Sequence, residues 1–266
     1  MLRYIVYLQQ IIPAWYSMYM KLRMNKPKMI VFDYGHTLLC EPDYDFLRGE
    51  EALFEYVISN KNNLTPKQVC DFSQDLFKRT GVVRELGFEL HEWQFQRLLY
   101  EYLEIELSIP LPEAEKIFWY HNSAGALMPN ADRMIDFINA SGIRSGVISN
   151  IGWSGAALTE RINRLMPQNM FEFIIASSEY GLRKPNLMLF ELALKKAELS
   201  AGDVWFCGDN TIADVEGSAA AGIFPVWYDD ETMVNPARKE SNGAVPGCEH
   251  LHIHDWLELI DVLDSH

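Results

Sequence analysis

Short apolar runs alternate with amphipathic segments along most of the chain, and this alternation predicts an α/β fold. Each run is rich in β-branched or aromatic residues, which suits a strand buried on both faces of a parallel sheet. The predicted strands are residues 29–32, 143–148, 171–176, 204–207 and 224–227. Helices are predicted at 133–140, 155–165, 188–197, 213–221 and 254–263. The pattern therefore predicts a doubly wound, parallel, Rossmann-like sheet.

A helical period replaces this alternation between residues 45 and 121, where no core strand is evident. Thr65 followed by Pro66 is typical of a helix N-cap and first helical position. Val69 and Phe72 then fall near one face, and further helices are predicted over 91–100 and from residue 112. We therefore predict an α/β core domain formed by 29–44 and 122–266, with an inserted helical domain over 45–121.

Two segments differ from both domains. Residues 1–28 are basic and aromatic, and we predict a packed or mobile N-terminal extension there. Pro13 and several polar residues interrupt their apolar part, which is also short for a bilayer span, so we do not expect membrane contact. Residues 229–249 are predicted to form a loop because they contain Pro, Gly and Asn.

The composition narrows the class of partner. Hydrophobic residues make up 48% of the chain and charged residues 23%, as in an ordinary globular protein. A net charge of −14 argues against nucleic acid as a partner, since phosphate backbones bind basic surfaces. It does not argue against a small phosphorylated substrate, because local donors and a metal can reverse the potential. The four cysteines are widely spaced, which predicts reduced thiols and a cytoplasmic location.

Polar residues follow three of the predicted strands and one loop. Asp33, Ser149 and Asp209 lie at strand ends, Asp214 lies shortly after Asp209, and Lys184 precedes a proline. The carboxyl ends of parallel strands open on one edge of a sheet, so these groups can converge. Clustered carboxylates need a cation, and their hard oxygens suit Mg²⁺. Taken alone, the Asp33-Tyr34-Gly35 sequence is equally typical of a simple turn.

The order of these motifs resembles the haloacid dehalogenase-like (HAD) superfamily. The motifs are Phe32-Asp33-x-x-x-Thr37, Ile148-Ser149-Asn150, Arg183-Lys184-Pro185 and Gly208-Asp209-x-x-x-x-Asp214. The helical insertion also resembles that of the subgroup with a helical cap between the first two motifs. The resemblance implies a HAD-like core and a Mg²⁺-dependent phosphatase in which Asp33 attacks phosphorus and forms an aspartyl-phosphate.

The resemblance also implies roles for the individual residues. Asp33 is expected to be nucleophile and metal ligand, and Gly35 to bind the metal through its carbonyl oxygen. Ser149, Asn150 and Lys184 are expected to bind phosphate, Asn150 through its backbone amide. Asp209 is expected to bind Mg²⁺, with Asp214 as an outer or water-mediated ligand. Lys184 could instead be a surface lysine, and Asp214 a helix cap.

One position departs from the superfamily's phosphatases. They usually carry a second Asp two residues after the nucleophile, where this chain has Gly35. That Asp acts as general acid and base, so its absence predicts slow hydrolysis or a substrate with a good leaving group, such as an acyl or aryl phosphate. The neighbouring His36 is a candidate substitute. Arg84 resembles a cap residue that reaches substrate in some relatives, although a solvated arginine fits equally well.

Three other functions stay open. Relatives that cleave carbon–halogen or carbon–phosphorus bonds also lack the second Asp. The former dispense with the metal, and the latter need a Schiff-base lysine, for which Lys67 and Lys78 are available. A catalytically quiet protein that binds a phosphorylated ligand or partner is the third alternative. The sequence gives neither the substrate nor the oligomeric state.

Overall fold

The computed structural model describes residues 25–230 and 245–265. The strands are β1 Met29–Phe32, β2 Leu39–Cys40, β3 Val57–Asn60, β4 Ile105–Leu107, β5 Ala126–Leu127, β6 Arg144–Ser149, β7 Ile174–Ala176, β8 Val204–Gly208, β9 Phe224–Tyr228 and β10 Leu251–Ile253. The helices are α1 Phe46–Phe54, α2 Pro66–Glu85, α3 Glu92–Tyr102, α4 Leu111–Asn122, α5 Ala131–Ala140, α6 Gly155–Leu165, α7 Leu187–Ala197, α8 Gly217–Ala220 and α9 Trp256–Asp264.

A six-stranded sheet with the order β10-β9-β8-β1-β6-β7 forms the centre of the molecule, and every neighbouring pair is parallel. The predicted doubly wound α/β fold is therefore confirmed. Strand β1 lies in the middle, and all four of its residues are buried, as an apolar run without alternation requires. At one face Phe32 packs edge-on against Trp256, which stacks on Tyr228 at 4.4 Å.

The insertion between β2 and β5 contains the four helices α1–α4, called here the inserted helices. Thr65 caps α2 in a reciprocal capping box with Gln68, as the Thr-Pro pair predicted. Helices α1 and α4 approach closely at Gly49, where a Cβ atom would lie 2.8 Å from the Phe118 ring. The insertion also holds an antiparallel β3–β4 pair that the helical period did not predict.

Several predicted boundaries were wrong. No strand was predicted at residues 251–253, but they form β10 at the edge of the sheet. Leu251 and Ile253 point into the core and His252 faces solvent, which is the alternation of a strand with one buried face. The last helix begins at Trp256, since Asp255 caps it by accepting from the Leu257 N–H at 2.7 Å. The predicted helix at 213–221 is a wide π-helical turn, Thr211–Glu216, followed by α8.

The predictions for residues 1–24 and for most of the 229–249 loop lie outside the described residues. Within the described ranges, no helix has the length and apolar character needed to cross a bilayer.

Candidate active site

The strand ends at the carboxyl edge of the sheet meet around a cavity of about 330 Å³. Asp33 follows β1, Ser149 ends β6 and Asp209 follows β8, and all three side chains line this cavity. The Asp33 N–H donates to the Cys207 carbonyl at 2.8 Å, which continues the β1–β8 pairing up to the site. The parallel sheet therefore brings together residues that are far apart in sequence.

Three carboxylates lie side by side in this cavity. Asp33, Asp209 and Asp214 each present an oxygen within 4.8 Å of the others, and each residue is at most 8% exposed. Burial raises the pKa of Asp214 to about 6, and the negative charge of Asp33 adds to the effect. The nearby Lys184 acts in the opposite direction. Such a cluster has oxygen donors and an excess of negative charge, which together suit a hard divalent cation.

Lys184 joins two of the carboxylates. Its Nζ lies 2.6 Å from Asp33 Oδ1, 2.7 Å from Asp214 Oδ1 and 2.8 Å from the Ile148 carbonyl oxygen. Burial opposes the charge of this fully enclosed ammonium, but Asp214 and Asp33 outweigh burial and raise the pKa of Lys184. Lys184 is therefore a fixed positive charge beside Asp33, and not a surface lysine.

Asn150 holds the loop that carries Lys184. Its side-chain Nδ2 donates to the Lys184 carbonyl at 2.9 Å, and its Oδ1 accepts from the Lys184 N–H at 2.7 Å. The sequence assigned only the backbone of Asn150 to the site. The side chain positions Lys184, and the expected role in phosphate binding stays a prediction.

The turn after Asp33 places Gly35 and His36 on the wall of the cavity. A Cβ atom added at Gly35 would meet no atom within 4 Å, and the backbone there has no positive φ. His36 does have a left-handed φ of 55°, and its N–H donates to the Leu39 carbonyl at 2.7 Å. The conformation of the turn therefore does not require glycine at position 35.

A buried arginine that the sequence did not single out supports this turn. Arg161 on α6 donates to the Tyr34 hydroxyl at 3.0 Å and to the Ser123 carbonyl at 2.8 Å. It also lies 3.3 Å from Glu41, which accepts a hydrogen bond from Trp119 at 2.7 Å. Arg161 is separated from Tyr34 by more than a hundred residues, so no local sequence signal could have identified it.

The inserted helices are tied to the core next to Lys184. Glu89, whose side chain is fully buried, accepts hydrogen bonds from Arg183 and from Ser177, the latter at 2.8 Å. Arg84 donates to the other Glu89 oxygen at 3.2 Å and lies over the Phe77 ring at 4.2 Å. Arg84 is therefore paired and not freely solvated. It does not line the acidic cavity, but it lines the adjoining second cavity described below, and its contact with substrate stays a prediction. Its guanidinium is held at the boundary between the insertion and the core.

A second cavity, of about 300 Å³, lies between the inserted helices and the core. Asn150, Ile151, Trp153 and Arg183 line both cavities, so the two adjoin. Aromatic side chains form much of its wall, including Phe46, Phe77, Phe95, Phe118 and Trp153.

Two carboxyl groups in the second cavity are shifted toward the neutral form. Burial raises the pKa of Glu50 to about 7, although the Tyr100 hydroxyl, which donates to it at 2.9 Å, acts in the opposite direction. Burial and the charge of Glu115 raise the pKa of Glu92 to about 8. The cavity can therefore offer hydrogen bonds without strong negative charge.

Comparisons with known proteins agree with this architecture. A family model for haloacid dehalogenase-like hydrolases matches residues 99–227. Glyceraldehyde 3-phosphate phosphatase of Pyrococcus abyssi (strain GE5 / Orsay) is 28% identical over 209 residues, which span 76% of this chain and 81% of that protein.

Solved structures show the same fold at lower sequence identity. A HAD phosphatase from Thermococcus onnurineus gives a TM-score of 0.61 at 15% identity, and the match covers 90% of this chain and 98% of that one. A 2-haloacid dehalogenase from Pseudomonas syringae pv. Tomato DC3000 gives 0.59 at 19% identity with the same coverage. The fold and the order of the strand-end motifs are those of a hydrolase with a doubly wound, parallel α/β core. The chain is similar in sequence, fold and strand-end motifs to the haloacid dehalogenase-like hydrolases, and the resemblance inferred from the sequence is confirmed.

Proposed function

We propose that the protein is a Mg²⁺-dependent phosphatase that acts on a small phosphorylated metabolite through an aspartyl-phosphate on Asp33. The observation that carries this proposal is the position of Lys184 Nζ, 2.6 Å from Asp33 Oδ1 inside a cavity that also holds Asp209 and Asp214. Several relatives that match the chain are themselves named phosphatases, which supports the same reaction class. The four cysteines are free, in keeping with the predicted cytoplasmic location.

The donor set fits Mg²⁺. Asp33, Asp209, Asp214 and the Gly35 carbonyl would hold the ion, since Mg²⁺ takes a few protein oxygens and keeps its remaining waters. A bound ion would neutralise charge on the phosphoryl group and favour the ionised form of Asp214. Lys184 supplies a positive charge to two of these carboxylates, Asp33 and Asp214.

Asp33, Lys184 and Ser149 carry out the other parts of the proposed reaction. A carboxylate oxygen of Asp33 attacks phosphorus as the bond from phosphorus to the leaving oxygen breaks, and water later hydrolyses the acyl phosphate. Lys184 fixes the orientation of the Asp33 carboxylate and stabilises negative charge on the phosphoryl oxygens. The Ser149 hydroxyl lines the same cavity and can donate to one of those oxygens.

Proton transfer to the leaving oxygen is expected to be slow at this site. Gly35 offers no side chain, and His36, the candidate substitute next to it, lines the cavity. General acid–base help is worth about 10²–10⁴-fold. The chemistry therefore favours leaving groups that depart as stable anions, such as aryl alcohols and carboxylates.

We further propose that the inserted helices act as the cap domain and that the second cavity receives the leaving group. Its aromatic walls fit a flat, apolar group, and Glu50 and Glu92, whose pKa values burial raises, can accept hydrogen bonds from hydroxyl or amino donors. The active site and this cavity adjoin at Arg183 and Asn150. An aryl or heteroaryl phosphate has a flat leaving group that fits the aromatic walls, and this group also departs readily as an anion.

The carbon–phosphorus alternative finds no support in the insertion. Lys67 is exposed and paired with Asp71 on the same helix, and Lys78 is also exposed. Neither lysine lines the two cavities described above. Retention of Asp209 and Asp214 likewise favours a metal-dependent reaction over the metal-free cleavage of carbon–halogen bonds.

A substrate panel with and without Mg²⁺ tests the proposed reaction. We expect turnover of para-nitrophenyl phosphate and acetyl phosphate with Mg²⁺, slower turnover of sugar phosphates, and loss of all three activities in excess chelator. Phosphate release measured at saturating substrate distinguishes the outcomes. Undiminished turnover in chelator would contradict the metal assignment, and absence of turnover on every phosphate would favour a quiet binding protein.

Filling the second cavity tests the leaving-group site. Ser73 is 6% exposed and lines this cavity, whereas its neighbour Gln74 on α2 faces solvent. Ser73→Phe is expected to raise KM for para-nitrophenyl phosphate by about tenfold or more, because about 1.4 kcal/mol of lost binding corresponds to that factor. KM for acetyl phosphate, whose leaving group is small, should change little.

Gln74→Phe is the matched control, since it adds the same ring on the outer face of the same helix. Equal effects of the two variants, or equal losses for both substrates in Ser73→Phe, would place the leaving group elsewhere.

A further inference from the structure

A second group of potential metal ligands lies at the edge of the sheet, away from the acidic cavity. Asp229 follows β9, while His252 lies on β10 and His254 follows it. Their ligand atoms lie within 4.8 Å of one another. None of the three residues lines the acidic cavity, and the two groups of potential ligands share no residue. The group is therefore separate from the proposed Mg²⁺ site.

The alternation along β10 creates this group. Leu251 and Ile253 are buried, so His252 and His254 project from the opposite, exposed face. Their imidazole rings have centroids 4.5 Å apart. The Asp229 carboxylate, at the end of the parallel neighbour β9, reaches His252 with Oδ2 at 3.4 Å from Nε2.

Hydrogen bonding and stacking orient both imidazoles. His254 Nδ1 lies 2.9 Å from the Asp229 carbonyl oxygen. A carbonyl oxygen can only accept, so the proton is on Nδ1 and the Nε2 lone pair is left available. A metal-bound histidine is typically held in this way through its other ring nitrogen. The Trp227 ring stacks on His252 at 4.0 Å with an interplanar angle of 11°, which fixes the plane of that ring.

We propose that Asp229, His252 and His254 form a binding site for a transition-metal dication of the Zn²⁺ type. Two imidazoles and one carboxylate suit Zn²⁺, which takes tetrahedral nitrogen and oxygen ligands, and they suit Mg²⁺ poorly. Three protein ligands leave one position for water or another small ligand. The ion would connect β10, the outermost strand, to the end of β9.

Zinc titration of chelator-stripped protein in excess Mg²⁺ tests the site by calorimetry, without reference to catalysis. We expect one equivalent of Zn²⁺ to bind, and His252→Gln or His254→Gln each to weaken that binding on the order of 10–100-fold. His121→Gln is the matched control, because His121 is an exposed histidine on α4. Zn²⁺ should also raise the thermal midpoint of the wild-type protein and not that of the two site variants.

The proposal is overturned if no Zn²⁺ binds, or if its affinity is the same in both histidine variants as in the wild type. Loss of the Zn²⁺ equivalent in Asp33→Asn, with retention in His252→Gln, would assign the ion to the acidic cavity and also overturn it. Both histidines are exposed, so circular dichroism should show that their variants fold normally.

Discussion

Gly35→Asp is expected to raise the rate of phosphate ester hydrolysis by about 10²–10⁴-fold, the typical value of general acid–base catalysis. The substitution restores a proton donor two residues after the proposed nucleophile. The structure can accept it, because a Cβ atom at Gly35 meets no atom within 4 Å and the backbone there has no positive φ. The gain should appear in kcat, since the added carboxyl group acts on the leaving oxygen in the transition state.

Comparison of leaving groups shows whether proton transfer is the cause. A sugar phosphate, whose alkoxide departs with difficulty, should gain far more from Gly35→Asp than para-nitrophenyl phosphate does. Gly35→Asn is the matched control, because the amide has the same size and cannot supply the proton. A comparable gain in Gly35→Asn, or no gain in Gly35→Asp with an intact fold, would show that the missing acid does not limit this enzyme.

Asp33→Asn is expected to reduce hydrolysis of every phosphorylated substrate by a factor on the order of 10⁴ or more, as for removal of other covalent nucleophiles. The amide is a poor nucleophile and carries no charge, so neither the acyl phosphate nor a full metal site can form. Initial rates at saturating substrate and Mg²⁺ measure the loss. A stopped-reaction search for phosphorylated protein should find the label on wild type and none on the variant.

Asp132→Asn on the exposed surface of α5 is the matched control and should keep the wild-type rate. The Asp33→Asn variant loses a charged partner of Lys184, so its thermal unfolding should be measured alongside. A folded Asp33→Asn protein that retains wild-type turnover would remove the nucleophile assignment.

The sequence predicted the residues of the acidic cavity well because a parallel sheet leaves little freedom. Once the apolar runs before Asp33, Ser149 and Asp209 are assigned to neighbouring strands, their ends must open on one edge. The same argument cannot predict the contact of Arg161 with Tyr34 or the contacts of Glu89 with Ser177 and Arg183, since these partners are distant in sequence. The second cavity could not be predicted from the sequence either, because its shape depends on the orientation of whole helices.

Strand β10 was missed for a different reason. Its three residues, Leu251–Ile253, carry too short an alternation to distinguish a strand from a turn. Pairing with β9 supplies the missing constraint, through the register of Leu251 with Val226 and of Ile253 with Tyr228. The histidines beside them acquire a common face only when this pairing exists.

The contact between Glu89 and Arg183 has a consequence for access to the active site. Arg183 immediately precedes Lys184. The Glu89 N–H donates to the Gly181 carbonyl and the Arg183 N–H donates to the Gly87 carbonyl, so the backbone at Glu89 and just before it is bonded to the same loop. Any swing of the inserted helices that widened the entrance would separate the buried Glu89 carboxylate from Arg183, one of its two guanidinium partners, which is energetically costly. It would also pull on the backbone that positions the Lys184 ammonium group beside Asp33. Admission of substrate and alignment of Lys184 are therefore mechanically coupled.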